Sequence, residues 1–134
     1  MIAAGSVFWF PDDLNQSDGQ GHYYVVLSDP SLYPDQLLLA NFSTWDDGKD
    51  DACFLEPPPD RDLPYLKHTS CIEYERARRS TLAELEFLLK KRIIRAVGVL
   101  PEDIFEEVLK GAVVTDRLRM EYEMLLEDQG IRNP

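Results

Sequence analysis

The pattern of apolar and polar positions divides the chain into a strand-rich first half and a helical second half. Short runs of aromatic, aliphatic and β-branched residues, bounded by turn-forming residues, predict β-strands. The strand candidates are residues 6–10, 23–27, 37–42, 52–55, 70–74 and 93–100. The leucines of the third run would also suit a helix, but its short length between Pro34 and Asp46 favours a strand.

After residue 80 the apolar positions recur every three or four residues, which is the period of an α-helix. Thr81 and Glu84 have the spacing of a capping box at the start of a first helix, predicted over residues 81–92. The basic run at residues 90–92 then stands at the C-terminus of this helix, where positive charge is favourable.

Proline and glycine mark the ends of two further predicted helices. Pro101 suits the first position of a helix over residues 101–110, and Gly111 is placed to end it. The last helix is predicted over residues 115–129, with Gly130 closing it.

The order of these elements predicts a single α+β domain over residues 1–134, β-rich in its N-terminal half. Its strands fall within residues 5–100 and are short, with tight turns between them. They suit a small, curled antiparallel sheet or partial barrel, on which the helices would pack their apolar stripes.

Composition is that of a folded protein, since 44% of the 134 residues are hydrophobic. The N-terminus lacks the features of a signal peptide, and no apolar run approaches the ~20 residues of a membrane span. We therefore expect a cytoplasmic protein without membrane contact. Cys53 and Cys71 are expected to be reduced thiols, and with only two scattered histidines they predict no metal site and no cofactor.

The net charge of −11 is unevenly distributed. Residues 1–60 hold one basic residue against eleven acidic ones, whereas residues 61–95 hold nine basic residues against five acidic ones. The acidic excess disfavours non-specific binding of nucleic acid. The basic segment leaves two readings open, a local anion-binding site or an ordinary solvated surface.

Five segments, in order, resemble the PemK/MazF-like toxin family. Residues 5–9 resemble its opening G-D-[IV]-x-W strand, and residues 22–30 resemble its R-P-x-x-V-L-S strand and turn. Residues 37–44, 66–72 and 97–102 are similar to three later motifs of the family, the last being the entry to a helix. The resemblance covers roughly residues 5–110.

This resemblance implies an SH3-like small antiparallel β-barrel of PemK/MazF type with C-terminal helices. It further implies a metal-independent endoribonuclease that cleaves single-stranded RNA by attack of the 2′-hydroxyl. It also implies inhibition by an antitoxin protein, and a homodimer.

The family's functional positions carry different residues in this chain. His22 stands where the family has an arginine, and Ser43 or Thr44 matches its third-strand threonine. Residues 68–71 replace an Asp-Gln-x-Arg stretch, and a later acidic position falls near Glu73 or Tyr74.

Cleavage at the 2′-hydroxyl needs a base, an acid and stabilisation of negative charge. The two histidines of the chain, His22 and His68, are candidates for base and acid. Hydrogen-bonding candidates for the phosphate are Ser43, Thr44 and Ser70. Candidate RNA-binding residues are Tyr23, Trp45 and Tyr74 for stacking, with Arg76 and Arg78 for positive charge. The same histidines and hydroxyls would also fit simple structural roles in strands.

A binding module is the alternative function. In that reading the chain is a catalytically inactive PemK/MazF-like protein that uses the same barrel to bind a protein or ligand. The four aspartates at residues 46, 47, 50 and 51 would suit a basic partner. The helical segment after Gly111 would then be available as a dimer or partner interface.

Overall fold

The computed structural model describes residues 1–16 and 19–132. In this part of the chain six strands and three helices form a mixed β and α fold. The strands are β1 (Ser6–Pro11), β2 (Gly21–Val26), β3 (Leu37–Thr44), β4 (Phe54–Leu55), β5 (Ser70–Ser80) and β6 (Arg95–Val99). The helices are α1 (Leu82–Lys90), α2 (Glu102–Val114) and α3 (Met120–Asp128).

All six strands belong to one antiparallel sheet in the order β4-β5-β3-β2-β1-β6. The long strand β5 pairs with β3 along both of its halves, and a bulge separates the halves. On β3, Leu39 and Asn41 are only two residues apart. Their partners on β5, Arg78 and Glu73, are five residues apart, so the extra residues belong to β5. Because a bulge bends its strand and increases the local twist, the sheet curls into a half-barrel.

The sheet separates two apolar clusters, because successive side chains of a strand point to opposite faces. We call the face that packs on α2 and α3 the helix-pair face. Its strand residues include Val7, Val25, Leu38, Ala40 and Phe42. The other face packs on α1, and we call it the α1 face. Its strand residues include Phe8, Phe10, Val26, Leu37 and Leu39.

The predicted start of the first helix is confirmed in part. The Thr81 hydroxyl accepts a hydrogen bond from the backbone N–H of Glu84 at 3.0 Å, as an N-cap should. The Glu84 carboxylate, however, accepts from the Ser80 hydroxyl at 2.5 Å, so it is not the return half of a capping box. The strand predicted at 70–74 is also longer, and it runs directly up to this cap.

The second helix does not end at Gly111, which was the predicted end. Gly111 is buried inside α2, which continues to Val114 and is capped by Thr115. The Thr115 hydroxyl donates to the buried carboxylate of Asp50 at 2.5 Å, which ties the loop before β4 to the end of α2.

The last two helices begin later than predicted. Pro101 precedes the first residue of α2 as its N-cap, and α3 begins at Met120 rather than at residue 115. Gly130 does follow the end of α3 as expected, with the positive φ of 74° that glycine adopts readily.

Candidate functional site

An open cleft lies on the helix-pair face, where β2 and β5 begin and β3 ends. Its walls are the aromatic side chains of Tyr23, Phe42 and Tyr65, and the Tyr65 ring centroid lies 5.2 Å from that of Phe42 and 6.3 Å from that of Tyr23. Burial raises the pKa of the Tyr65 hydroxyl, which therefore stays neutral. The cleft has a volume of about 230 Å³, and its other lining residues are Ser43, Thr44, Pro64, Lys67, His68 and Ser70. We call it the aromatic cleft.

The rim of the aromatic cleft is polar. The Ser70 hydroxyl donates to the backbone oxygen of His68 at 2.7 Å, and Lys67 is paired with the carboxylate of Asp62. The Thr44 hydroxyl and the His68 imidazole have no hydrogen bond to any residue that the structure describes, and both residues are exposed. These two groups are therefore available to a ligand.

A second group of polar side chains lies on the α1 face, beginning at His22. His22 is paired with Phe10 of β1, so it shares the face on which Phe10 packs. Its Nδ1 lies 2.9 Å from an Oδ1 of Asp12, and 43% of its side chain is exposed. Because a carboxylate only accepts hydrogen bonds, Nδ1 is the protonated nitrogen and Nε2 faces other partners.

A row of paired residues continues across the α1 face. Tyr24 of β2 is paired with Asn41 of β3, and Asn41 is paired with Glu73 of β5. Asn41 is only 1% exposed, and within the described chain its Oδ1 has no hydrogen-bond partner. The Glu73 carboxylate is largely buried and lies 3.7 Å from Nε of Arg76. This row therefore brings a carboxylate and an unsatisfied amide onto the same face as His22.

The bulge in β5 brings Arg78 onto this face as well. Arg78 is paired with Leu39, whose side chain belongs to the α1 cluster. The guanidinium carbon of Arg78 lies 4.7 Å from the ring centroid of Phe10 and 5.8 Å from that of Tyr24. These aromatic contacts hold a positive charge over the strands that carry His22 and Asn41.

A second cation stands at the end of β3. Nζ of Lys49 donates to the Ser43 hydroxyl and to the backbone oxygen of Thr44, both at 2.7 Å. By the alternation of side chains along β3, Ser43 lies on the same face as Asn41, two residues further on. We call the group on this face the strand-face site. Its members are His22, Asn41, Ser43, Glu73 and Arg78.

Comparison with solved structures identifies the fold. The chain is similar to the "MazE-MazF (Form-II)" crystal structure from Deinococcus radiodurans, with a TM-score of 0.51, 14% identity, and coverage of 82% of this chain and 89% of that one. The Form-III crystal structure gives a TM-score of 0.50 at 16% identity, covering 80% of this chain and 88% of that one. The fold is MazF-like. No protein-family model and no curated protein matches the sequence.

The MazF-like fold confirms the predicted α+β class, with its curled antiparallel sheet and later helices. It does not bring the two histidines together. His22 lies on the α1 face, whereas His68 lines the aromatic cleft with Tyr23, on the opposite face. The structure therefore gives no geometry in which both imidazoles flank one phosphate.

Other predicted site residues are divided between the two regions or lie outside them. Tyr74 is fully buried, and its hydroxyl donates to the backbone oxygen of Val108 at 2.6 Å, so it cannot stack on a base. Trp45 packs edge-on against Phe54 beside the cleft, with ring centroids 5.2 Å apart. Arg76 is exposed and reaches the strand-face site through Glu73.

Four groups that belong to the strand-face site or bond its members were not among the predicted site residues. They are Asp12, Asn41, Lys49 and Glu73. Only Glu73 had a signal in the sequence, the acidic position of the family resemblance. The others owe their role to cross-strand register and to a loop that folds back, which no local pattern encodes.

The cysteines do not supply a nucleophile. Burial raises the pKa of the Cys53 thiol to about 12 and that of Cys71 to about 11, so both stay protonated at neutral pH.

Among the residues that the structure describes, no three histidine, cysteine or acidic side chains are grouped to hold a metal ion. In the same part of the chain, no helix has the length and apolar character needed to cross a bilayer.

Proposed function

We propose that this chain is a metal-independent endoribonuclease that cleaves single-stranded RNA and acts as the toxin of a toxin–antitoxin pair. The observation that carries the proposal is the strand-face site. On one face of a MazF-like sheet it gathers an imidazole held by a carboxylate, a second carboxylate and a guanidinium. These are the groups that cleavage at a 2′-hydroxyl requires.

In the proposed reaction, the 2′-oxygen of a ribose attacks the adjacent phosphorus. A bond forms between the 2′-oxygen and phosphorus, and the bond from phosphorus to the 5′-oxygen of the next nucleotide breaks. The products are a 2′,3′-cyclic phosphate and a free 5′-hydroxyl. One proton leaves the 2′-hydroxyl and one is added to the 5′-oxygen, so an external water or cofactor is not consumed.

Glu73 and His22 suit these two proton transfers. The Glu73 carboxylate, beside the guanidinium of Arg76, accepts the proton of the 2′-hydroxyl. His22, in its doubly protonated form, donates from Nε2 to the leaving oxygen while Asp12 holds Nδ1. A strand spacing of about 4.8 Å and a rise of about 3.4 Å per residue place the Cα atoms of His22 and Glu73 roughly 12 Å apart. At this spacing we expect the two side chains to flank one phosphodiester.

Positive charge for the phosphate comes from Arg78 and Lys49. Arg78 is held over the site by its aromatic contacts, and Lys49 stands beside the Ser43 hydroxyl at the end of β3. Both groups are fixed before substrate arrives, so they stabilise the developing charge without first rearranging. Ser43 adds a hydroxyl that can hydrogen-bond a phosphate oxygen.

The test is incubation of purified protein with a long single-stranded RNA in the presence of EDTA. The wild type should cleave and leave 2′,3′-cyclic phosphate ends. His22→Ala and Glu73→Gln should each lower the cleavage rate by about 10²- to 10⁴-fold. Asp12→Asn should lower it by about tenfold or more, because it releases the imidazole.

Matched control variants lie close by in the chain. Glu75→Gln alters a β5 carboxylate that pairs with Arg117, outside the strand-face site, and should leave cleavage unchanged. Asp13→Asn is the control for Asp12→Asn, since Asp13 only caps the following turn. An intact RNA after incubation with folded wild type, or equal loss in Glu73→Gln and Glu75→Gln, would refute the proposed activity.

The partners proposed with this activity are an antitoxin protein and a second copy of the chain. The exposed Asp46, Asp47 and Asp51 form an acidic surface, which would bind a basic segment of the antitoxin. Asp50 does not belong to this surface, because it is buried and bonded to Thr115.

The same acidic surface also favours the second candidate function, a binding module without catalysis. Retention of a basic partner by folded protein that leaves RNA intact would support that second function.

A further inference from the structure

Apart from Ser43 at its border, the proposed chemistry makes no use of the aromatic cleft, which lies on the opposite face of the sheet. We infer that the aromatic cleft binds one nucleobase of the RNA whose phosphate occupies the strand-face site. This inference rests on the proposed function for the identity of the strand, but the cleft can be tested separately with single nucleosides.

The walls of the cleft fit a flat, apolar ring. The partly exposed ring of Tyr23 and the rigid apolar side chain of Pro64 line the cleft, and the buried rings of Phe42 and Tyr65 close it below. Bases of single-stranded nucleic acids bind by contact with such aromatic groups. The volume of about 230 Å³ lies below the range of pockets for drug-sized ligands, so it suits one ring system rather than a whole nucleotide.

The rim fits the edge of a base better than an anion. Lys67 is already paired with Asp62, and the Ser70 proton is given to the backbone oxygen of His68. The Thr44 hydroxyl and the His68 imidazole remain, and each is able to donate and to accept a hydrogen bond. A base presents donors and acceptors side by side on its edge, whereas a phosphate presents acceptors alone.

The two regions meet at the same end of the sheet. His22 and Tyr23 are consecutive residues of β2, and Ser43 and Thr44 are consecutive residues of β3. Because consecutive side chains of a strand point to opposite faces, His22 and Ser43 serve the strand-face site, whereas Tyr23 and Thr44 line the cleft; Ser43, at the edge between the two regions, also borders the cleft. An RNA strand that bends over this end of the sheet would place a phosphate on one face and a neighbouring base on the other.

The experiment is an NMR titration of the full chain with adenosine, guanosine, cytidine and uridine, and in parallel with inorganic phosphate. At least one nucleoside should shift the backbone resonances of Thr44, His68 and Ser70. Thr44→Val and His68→Ala should each weaken its affinity by about tenfold. Thr69→Val is the matched control, because Thr69 bonds Glu56 and does not line the cleft.

The outcomes separate this inference from the proposed nuclease. Shifts at the cleft caused by phosphate but by none of the nucleosides would overturn the inference, as would equal weakening by Thr69→Val. RNA cleavage without nucleoside binding would overturn the inference and leave the nuclease standing. Nucleoside binding that His22→Ala leaves intact, in a protein that cleaves no RNA, would support the base site and reject the nuclease.

Discussion

Gly111 shows how a single missing side chain fixes the position of a helix. A Cβ on this residue would overlap the Tyr74 hydroxyl oxygen and would lie 2.7 Å from the Cβ of Cys53. Glycine therefore lets α2 approach the sheet closely enough for the buried Tyr74 hydroxyl to reach the backbone oxygen of Val108. A glycine that suggests a helix end in the sequence is in fact a packing contact.

Gly111→Ala should lower the free energy of unfolding by about 1–3 kcal/mol. In an exposed helix interior, alanine would instead be about 1 kcal/mol better than glycine. Urea denaturation of the purified variant measures the change. Val113→Ala, on an exposed position of the same helix, is the control and should change stability by about 0.5 kcal/mol or less. A stabilised Gly111→Ala variant would show that α2 does not pack as described.

The raised pKa of the buried Cys53 thiol predicts that the protein loses stability in alkaline solution. Its pKa is raised by burial from 9.0 to about 12, so the folded state keeps the thiol proton after the unfolded state has lost it. The stability that Cys53 contributes is therefore complete below pH 9 and falls as the pH rises through this window, by at most about 1.4 kcal/mol per pH unit from this one group. Urea midpoints measured from pH 8 to pH 10.5 test this. Cys53→Ser removes this titration and should give a shallower slope, whereas parallel slopes would contradict the assignment.

At the scale of elements, the bulge in β5 decides which residues meet. Between the partners of Leu39 and Asn41, β5 has five residue steps where β3 has two. This excess switches the face of the later half of β5 and brings Arg78 over Phe10. An uninterrupted strand would have left this guanidinium away from the row of Tyr24, Asn41 and Glu73.

The junction of β5 and α1 depends on the cap at Thr81. Thr81→Ala should lower the free energy of unfolding by about 1 kcal/mol, because the N–H of Glu84 loses its acceptor. Thermal or urea unfolding measures the loss. Thr81→Ser keeps the hydroxyl and is the matched control, expected close to wild type. Equal losses in the two variants would indicate that the methyl group of Thr81, rather than the cap, provides the stability.

At the scale of the whole molecule, an acidic protein is proposed to act on a polyanion. The net charge is −11, and the exposed Asp46, Asp47 and Asp51 follow directly on the end of β3, where both candidate regions lie. Long-range repulsion then opposes RNA approach, while Arg78 and Lys49 attract the phosphate only at close range. The balance between this long-range repulsion and the close-range attraction depends on ionic strength.

The triple change of Asp46, Asp47 and Asp51 to Asn should raise kcat/KM for RNA by about tenfold at low salt. The gain should shrink as salt rises, because the Debye length falls from about 30 Å at 0.01 M to about 3 Å at 1 M. Initial rates across a salt series measure it. The control changes the same net charge on α2, with Glu102, Glu106 and Glu107 replaced by Gln. An equal gain in both variants would show that total charge matters and the loop does not.

Much of the element order follows from local patterns in the sequence. The predicted strands and helices correspond to the observed ones, because a period of two or of 3.6 residues is set by near neighbours. The boundaries differ where a distant contact intervenes. Strand β5 extends to Ser80 because β3 continues to pair with it, and α2 passes Gly111 because Tyr74 lies beneath that residue.

The sequence by itself determined an α+β chain with a short-stranded, antiparallel sheet followed by helices. Only the tertiary structure decided which polar residues share a face. It separated His22 from His68, buried Tyr74, and joined His22 to Asp12 and to the Asn41–Glu73 row. The physical reason is that the face of a strand residue depends on register and bulges, which are set by pairing between segments far apart in the chain.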